Sequence, residues 1–185
     1  MVLFRTDMRT SPFFMMLVLA CAAGAVLPGC GYHLSGTGSL LPEGTRTIAI
    51  PAFINATSEP YVDVQTSLAV TGEFVADGRL RVTDVEAADV ILQGKVAKFT
   101  VSALSYTPDS YVQQYKVTLI VEAALQERKS RKVLWQERGI ESVFIADYAV
   151  SIGDIQATKI AKDQAIRKAS QDIAWTIRSR VLEGF

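Results

Sequence analysis

Apolar and polar positions alternate most regularly from Tyr115 to Leu125, where Tyr115, Val117, Leu119, Val121, Ala123 and Leu125 share one face of a predicted strand. Arg128-Lys129-Ser130-Arg131-Lys132 then reads as a charged hairpin turn. Val133 to Phe144 is the partner strand, with Val133 and Trp135 on one face and Leu134 on the other. Upstream, Thr45 to Asn55 reads as a strand, Ile48 and Ile50 alternating with Thr47 and Ala49, and Pro51 marks an edge or a strand end. Arg79 to Asp84 is a half-buried strand, and Ala87 to Leu104 a longer extended segment with Gly94 as a bulge. Ser105 to Gln113, with Pro108-Asp109, is a turn or loop. Two stretches follow helical spacing instead. One is capped by Ser58, takes Pro60 into its first turn, carries Tyr61, Val64, Leu68 and Val75 with Phe74 beside them, and closes at Asp77-Gly78. The other runs from Asp154 to about Leu182 with the stripe Ile166, Ala169, Ile173, Ile177 and Val181; Lys159, Lys162, Arg167, Lys168, Arg178 and Arg180 fall largely off that stripe. The order predicts an α+β two-layer sandwich: a mixed, mostly antiparallel four-stranded sheet with two helices packed on one face.

The N-terminal pattern is different. Arg5 and Arg9 precede an apolar run from Phe13 to Leu27. At about fifteen residues it is shorter than the roughly 20 that a spanning helix needs, and it has the layout of a secretory signal. It ends in Leu27-Pro28-Gly29-Cys30, a bacterial lipobox with Pro28 where a small residue is usual. Cleavage there would leave Cys30 to carry diacylglycerol on its thiol and an acyl chain such as palmitate on its amine, a tether to the membrane surface. Val18-Leu19-Ala20-Cys21 is a second candidate, but a cut at Cys21 leaves only Phe13 to Ala20 as the apolar core and strands Ala22 to Leu27 on the mature end. Met8 is an alternative start, and an ordinary cleaved signal with an incidental cysteine is the plainer alternative. Gly31 in place of Asp after the anchor points to outer-membrane sorting. The expected organisation is therefore residues 1–29 as a lipoprotein signal peptide, 30–44 as a Gly/Ser-rich lipidated tether, and 45–185 as the folded domain.

Composition narrows the chemistry. The mature chain would hold 156 residues, one domain, with a net charge of about −1 that favours no class of partner. With Cys21 removed and Cys30 acylated, no disulfide and no free thiolate remain. His33 is the only histidine and sits beside the anchor, so a His-based triad or multi-His metal site is excluded by counting. Gly36-Thr37-Gly38 lacks the flanking strand and helix of a phosphate loop, and nothing brings Glu141 and Asp147 together as a catalytic pair. The chain reads as no enzyme, with no metal or cofactor. Arg128, Lys129, Arg131 and Lys132 are the one cation cluster and the candidate contacts for phosphates of a lipid head group, against the plain alternative of a solvated hairpin tip. Lys95 and Lys98 lie an odd number apart and face opposite sides unless the strand is bulged. Tyr106, Tyr111 and Tyr115 cluster about the Pro108 loop, as a partner contact or as strand-end packing. Nothing resembles the interleaved aromatic and basic surface of a nucleic-acid binder.

The ordered set Cys30-Gly31-Tyr32-His33-Leu34, Leu41-Pro42, Thr47-Ile48-Ala49-Ile50-Pro51, Asn55, Ala88-Asp89 with Leu92 and Gly94, Leu104-Ser105-Tyr106, Tyr115-Lys116-Val117 and Val133-Leu134-Trp135 resembles the LptE family of outer-membrane lipoproteins over essentially the whole mature chain. That resemblance implies a two-layer α+β domain seated as a plug in the lumen of LptD, the β-barrel that delivers lipopolysaccharide to the outer leaflet. It also implies help in assembling that barrel and binding of lipopolysaccharide through cations. Only Cys30 carries over as a named site; the loop before Tyr115, TPDSYVQQ, has no cation here. The alternative is an accessory lipoprotein with a small α/β domain in another outer-membrane secretion or transport complex, for which RTIAIPAF would serve as the first strand.

Overall fold

A computed structural model describes residues 40–106, 112–147 and 155–184. Cys21, Cys30, His33, Pro108, Tyr111 and Asp154 lie outside the described residues, as do the expected signal, the expected lipidation site and most of the expected tether. In chain order the elements are β1 (Thr47–Ala49), β2 (Ile54–Asn55), α1 (Val62–Asp77), β3 (Arg81–Val82), a short 3-10 turn (Val85–Ala87), β4 (Val90–Tyr106), β5 (Val112–Glu127), β6 (Val133–Asp147) and α2 (Ile155–Glu183). The mixed α+β architecture stands, but the sheet has six strands where four were expected. Its order is β3-β1-β4-β5-β6, with β2 paired to β4 beside β1. β4, β5 and β6 form an antiparallel meander, β1 pairs in parallel with both β3 and β4, and β2 pairs in parallel with β4. One of the two additional strands comes from Pro51, which has no N–H to give the ladder. The segment expected as one strand is therefore two short ones, Ile48 pairing with Val90 and Ile54 with Lys95.

Both helices cover one face of the sheet. Val90, Leu92, Val96, Leu119, Val121, Ala123, Leu125 and Ile140 form one core with Val62, Val70 and Phe74 of α1 and with Ile166, Ala169, Ile173, Ile177 and Val181 of α2. The alternation read in β5 and the stripe read in α2 are thus the core-facing positions. Small residues let the helices meet, and Thr66 Oγ1 lies 3.2 Å from Ser170 Oγ in the buried seam.

Elsewhere the register departs from simple alternation. A bulge between Val96 and Lys98 sets Lys95 opposite Glu122 and Lys98 opposite Ile120, so both lysines emerge on the helix-free face. A second shift sets Trp135 opposite core-facing Leu125 but Val133 opposite Gln126, so Val133 and Trp135 face opposite ways, contrary to the alternation. Gly94 is not the bulge: it pairs in register with Ala123. Its reason is steric, since a Cβ there would overlap the ring of Phe53, which is itself buried. Gly94→Ala is expected to destabilise the domain by about 1–3 kcal/mol, and Phe53→Leu in the same chain to recover part of the loss. Chemical denaturation of the four-member cycle checks this; additive losses would contradict it.

The first helix begins later than its sequence cap suggests. Val62 opens it, and Tyr61 precedes it in the left-handed region at φ 63° with no side-chain cap. Asn55 organises the approach instead of Ser58. Its Oδ1 accepts from Thr57 N at 2.9 Å and Thr57 Oγ1 at 2.8 Å, while its Nδ2 donates to Glu59 O at 2.8 Å. Ser67 Oγ donates to Asp63 O and accepts from Phe53 N at 2.9 Å, pinning the β1–β2 connection to α1.

Candidate functional site

One end of the domain is defined by the start of β1, into which residues 40–46 lead. Asp89 holds it. One carboxylate oxygen accepts from the backbone N–H groups of Arg46 and Thr47, each at 3.0 Å, and from Thr47 Oγ1 at 2.8 Å. The Asp89 N–H in turn donates to Thr47 Oγ1 at 2.9 Å. The basic hairpin turn docks on the same pair of residues: Arg128 N donates to Asp89 O at 2.9 Å and Arg128 Nε to Ala88 O at 2.6 Å. Ala88-Asp89 is therefore the joint between the first strand, the long strand β4 and the basic turn. Those hydrogen bonds, first that of the Arg46 N–H and then that of the Thr47 hydroxyl, hold the Asp89 carboxyl below its ordinary range, with Lys129 adding to them.

The four sequence-predicted cations are brought together on this turn but not equally presented. Arg128 is half-buried and committed through its Nε; Lys129, Arg131 and Lys132 are exposed. Beside Lys129 a shallow cleft of about 120 Å³ is lined by Pro42, Glu43, Gly44, Thr45, Asp89 and Glu127.

A second charged cluster joins the C-terminal ends of the two helices. Arg178 reaches Asp77 at 3.1 Å, and its Nε sits 3.2 Å from Glu73 without hydrogen-bond alignment. Arg79 meets Asp77 at 2.7 Å and Glu183 at 3.6 Å. The Asp77 side chain is 11% exposed. The Arg79 guanidinium, with Arg178 behind it, lowers the Asp77 pKa from 3.8 to about 2. Because both Asp77 and Asp89 have depressed folded-state values, their contribution is fully present above the unfolded-state pKa and is lost as pH falls through the folded one. The thermal midpoint is therefore expected to decline between pH 4 and about 2, and Asp77→Asn to flatten the decline while lowering the midpoint at neutral pH. Thermal scans across that range check it; a wild-type midpoint that holds steady to pH 2 would contradict it.

No described cluster of His, Cys, Asp and Glu has the grouping of a metal site, and no described helix is long and apolar enough to cross a membrane. Glu141 points from the helix-free face beside Ile120. The side chains of Tyr106 and Asp147 are not described, and Tyr115 packs at the end of the core near Val117.

The feature that sequence reading missed is the face of α1. Tyr61, Val64, Leu68 and Val75, the residues that helical spacing picks out, are the exposed ones, Leu68 by 64% and Val75 by 63%; the core takes Val62, Thr66, Val70 and Phe74. Gly72 and Ala76 complete the exposed strip, which carries no charge over the whole helix. Asp63, Glu73 and Asp77 are half-buried on its flanks. Further large apolar side chains stand exposed on other sides: Val133, Val143 and Ile145 on the helix-free face of the sheet, and Ile160 and Trp175 on α2.

Comparison with known proteins adds a family and a fold. The family described as LptE, lipopolysaccharide-assembly, matches residues 45–181. None of the curated proteins matches this chain. Among solved structures, the hypothetical protein CT253 from Chlamydia trachomatis is 7% identical with a TM-score of 0.50, covering 74% of this chain and 98% of its own. Lipoprotein B from Nitrosomonas europaea is 15% identical with a TM-score of 0.46, over 75% of this chain and 84% of its own. A minor lipoprotein from Acinetobacter baumannii is 10% identical with a TM-score of 0.45, over 76% and 92%. At such identities the likeness concerns the fold alone.

Proposed function

Because this chain belongs to the LptE family, we propose that it is a non-catalytic outer-membrane lipoprotein, anchored through Cys30, that plugs the lipopolysaccharide-translocating barrel LptD and assists its assembly. Its partners are then that barrel, lipopolysaccharide and the membrane reached by its lipid. The observation that carries the reading beyond the family is the distribution of exposed apolar side chains. They lie on α1, on α2 and on the helix-free face of the sheet. A flat partner covers one side of a small domain and leaves the others wet. An enclosing partner covers all of them, and the uncharged strip of α1 suits a surface that is removed from water over its whole length. A second copy of the chain is a poorer occupant. The 16-residue helix is about 24 Å long, and a strip about 10 Å wide offers roughly 240 Å², well below the roughly 800 Å² per partner of a stable interface.

The test is isolation through a C-terminal tag after mild detergent extraction of the outer membrane. A large β-barrel recovered in equal amount supports the plug. Recovery of folded, acylated protein without a barrel would overturn it and favour an accessory role in another complex.

A further inference from the structure

We propose that the tip of the basic hairpin, Lys129, Arg131 and Lys132, is a membrane-surface contact that binds anionic phospholipid head groups of the leaflet holding the lipid anchor. The inference rests on Cys30 being that anchor.

Place is the first argument. Leu41 is eleven residues on from Cys30. A chain of that length spans at most about 40 Å. Whichever part of the domain adjoins Leu41 is therefore held close to the lipid surface. Pro42, Gly44 and Thr45 line the same cleft as Lys129, so that part is the basic turn.

The build of the turn is the second. Arg131 N donates to Glu127 O and Glu127 N to Lys132 O, each at 2.9 Å, and Lys132 N donates to Ser130 Oγ at 3.1 Å, so the tip is ordered by its own backbone. Arg131 sits in the left-handed region at φ 58°. Glycine or asparagine adopts that conformation with less strain. The arginine thus keeps its charge outward at a position where backbone geometry alone would choose otherwise.

The third argument is what surrounds the tip. Arg128 anchors it to Ala88 O and Asp89 O. One oxygen of Asp89 takes the Arg46 and Thr47 groups and Glu127 takes the Ser130 hydroxyl, while Lys129, though in the field of Asp89, Arg131 and Lys132 stay exposed and close no ion pair among the described residues. Val133, exposed, follows them directly. Glu43 lines the cleft beside Lys129, so the contact is local and salt-sensitive. A lipid chain and a small cationic patch together make a durable attachment where one is marginal. Phosphate is the chemistry shared with a glycolipid in transit, and the tether's reach favours the resident phospholipid.

The test uses the mature chain with Cys30→Ser, so that no acyl chain masks the surface contact, in co-sedimentation with vesicles of phosphatidylglycerol and phosphatidylethanolamine. Binding is expected, with loss at high salt. Lys129→Gln/Arg131→Gln/Lys132→Gln is expected to lower the vesicle partition about a hundredfold. Lys129→Arg/Lys132→Arg should bind as the parent does, with unchanged thermal midpoints in both variants certifying the fold. Equal partition of the triple variant and the parent would overturn the proposal. So would binding by the parent to lipopolysaccharide micelles but not to these vesicles, which would assign the turn to the glycolipid. Barrel recovery by the unmutated lipoprotein reads the plug separately: its isolation without a barrel, while the Cys30→Ser parent binds vesicles and the triple variant does not, would count against the plug alone.

Discussion

Leu68→Asp is expected to leave the domain folded and to abolish its recovery with the barrel. Leu68 is among the most exposed apolar residues of α1, and the strip on which it lies has no charge. In the free protein the substitution places a carboxylate in water and costs about 0.5 kcal/mol in helix propensity. Within an enclosed interface the same carboxylate loses its hydration and finds no designed cation. An unpaired charge so placed costs several kcal/mol, enough to weaken association by well over tenfold. Leu68→Met, which keeps the strip apolar, should associate as the parent does. The measurement pairs a thermal melt of the isolated chain with barrel recovery from solubilised membranes. A carboxylate at position 68 that leaves barrel recovery intact would remove α1 from the interface.

Six residues on, the opposite face of the same helix gives the opposite expectation. Phe74 is fully buried and is the largest such side chain in the core, packed among residues of both helices and of the sheet. Phe74→Ala removes its transfer free energy and leaves a cavity that the surrounding strands cannot close, for a loss of about 3–5 kcal/mol. For a domain of this size the thermal midpoint should fall by about 10 °C. Denaturation should show a lower midpoint with little change in slope, and Phe74→Leu should recover more than half of the loss. A loss below about 1 kcal/mol would mean that the helix is not seated as described.

The contrast between these two positions marks what the sequence could and could not reveal. In β5 and α2 most apolar residues fall on one face, so periodicity named the buried residues: Val117 to Leu125 at every second position, Ile166 to Val181 along one stripe. Helix α1 is apolar on two faces, and period alone cannot say which one the core takes. The core takes Val62, Val70 and Phe74, with the small polar Thr66 and Ser67 hidden between them because their hydroxyls bond back to the helix carbonyls of Val62 and Asp63. A buried threonine and an exposed leucine invert the usual reading, and the proposed interface on α1 rests on that inversion. The bulges that turn Lys95 and Lys98 to one side, and Val133 and Trp135 to opposite sides, depend on strand pairing across the sheet and leave no local trace. Asp89 is a similar case. Its carboxylate acts on residues more than forty positions away, so nothing near it in the chain announces the clamp. The basic turn was legible as a cluster; its nearness to residues 42–45 was not, because that follows from β1 running beside the start of β4.

Enclosure by one barrel is the central claim, and cross-linking tests it most directly. A photo-reactive amino acid would be placed in turn at Leu68 on α1, at Trp175 on α2 and at Val143 on the helix-free face, all exposed positions on different sides of the domain. Illumination in intact cells is expected to yield, from all three, adducts with the same large β-barrel. Adducts from one face only, or from different proteins at different faces, would contradict enclosure and leave a domain that docks by a single side.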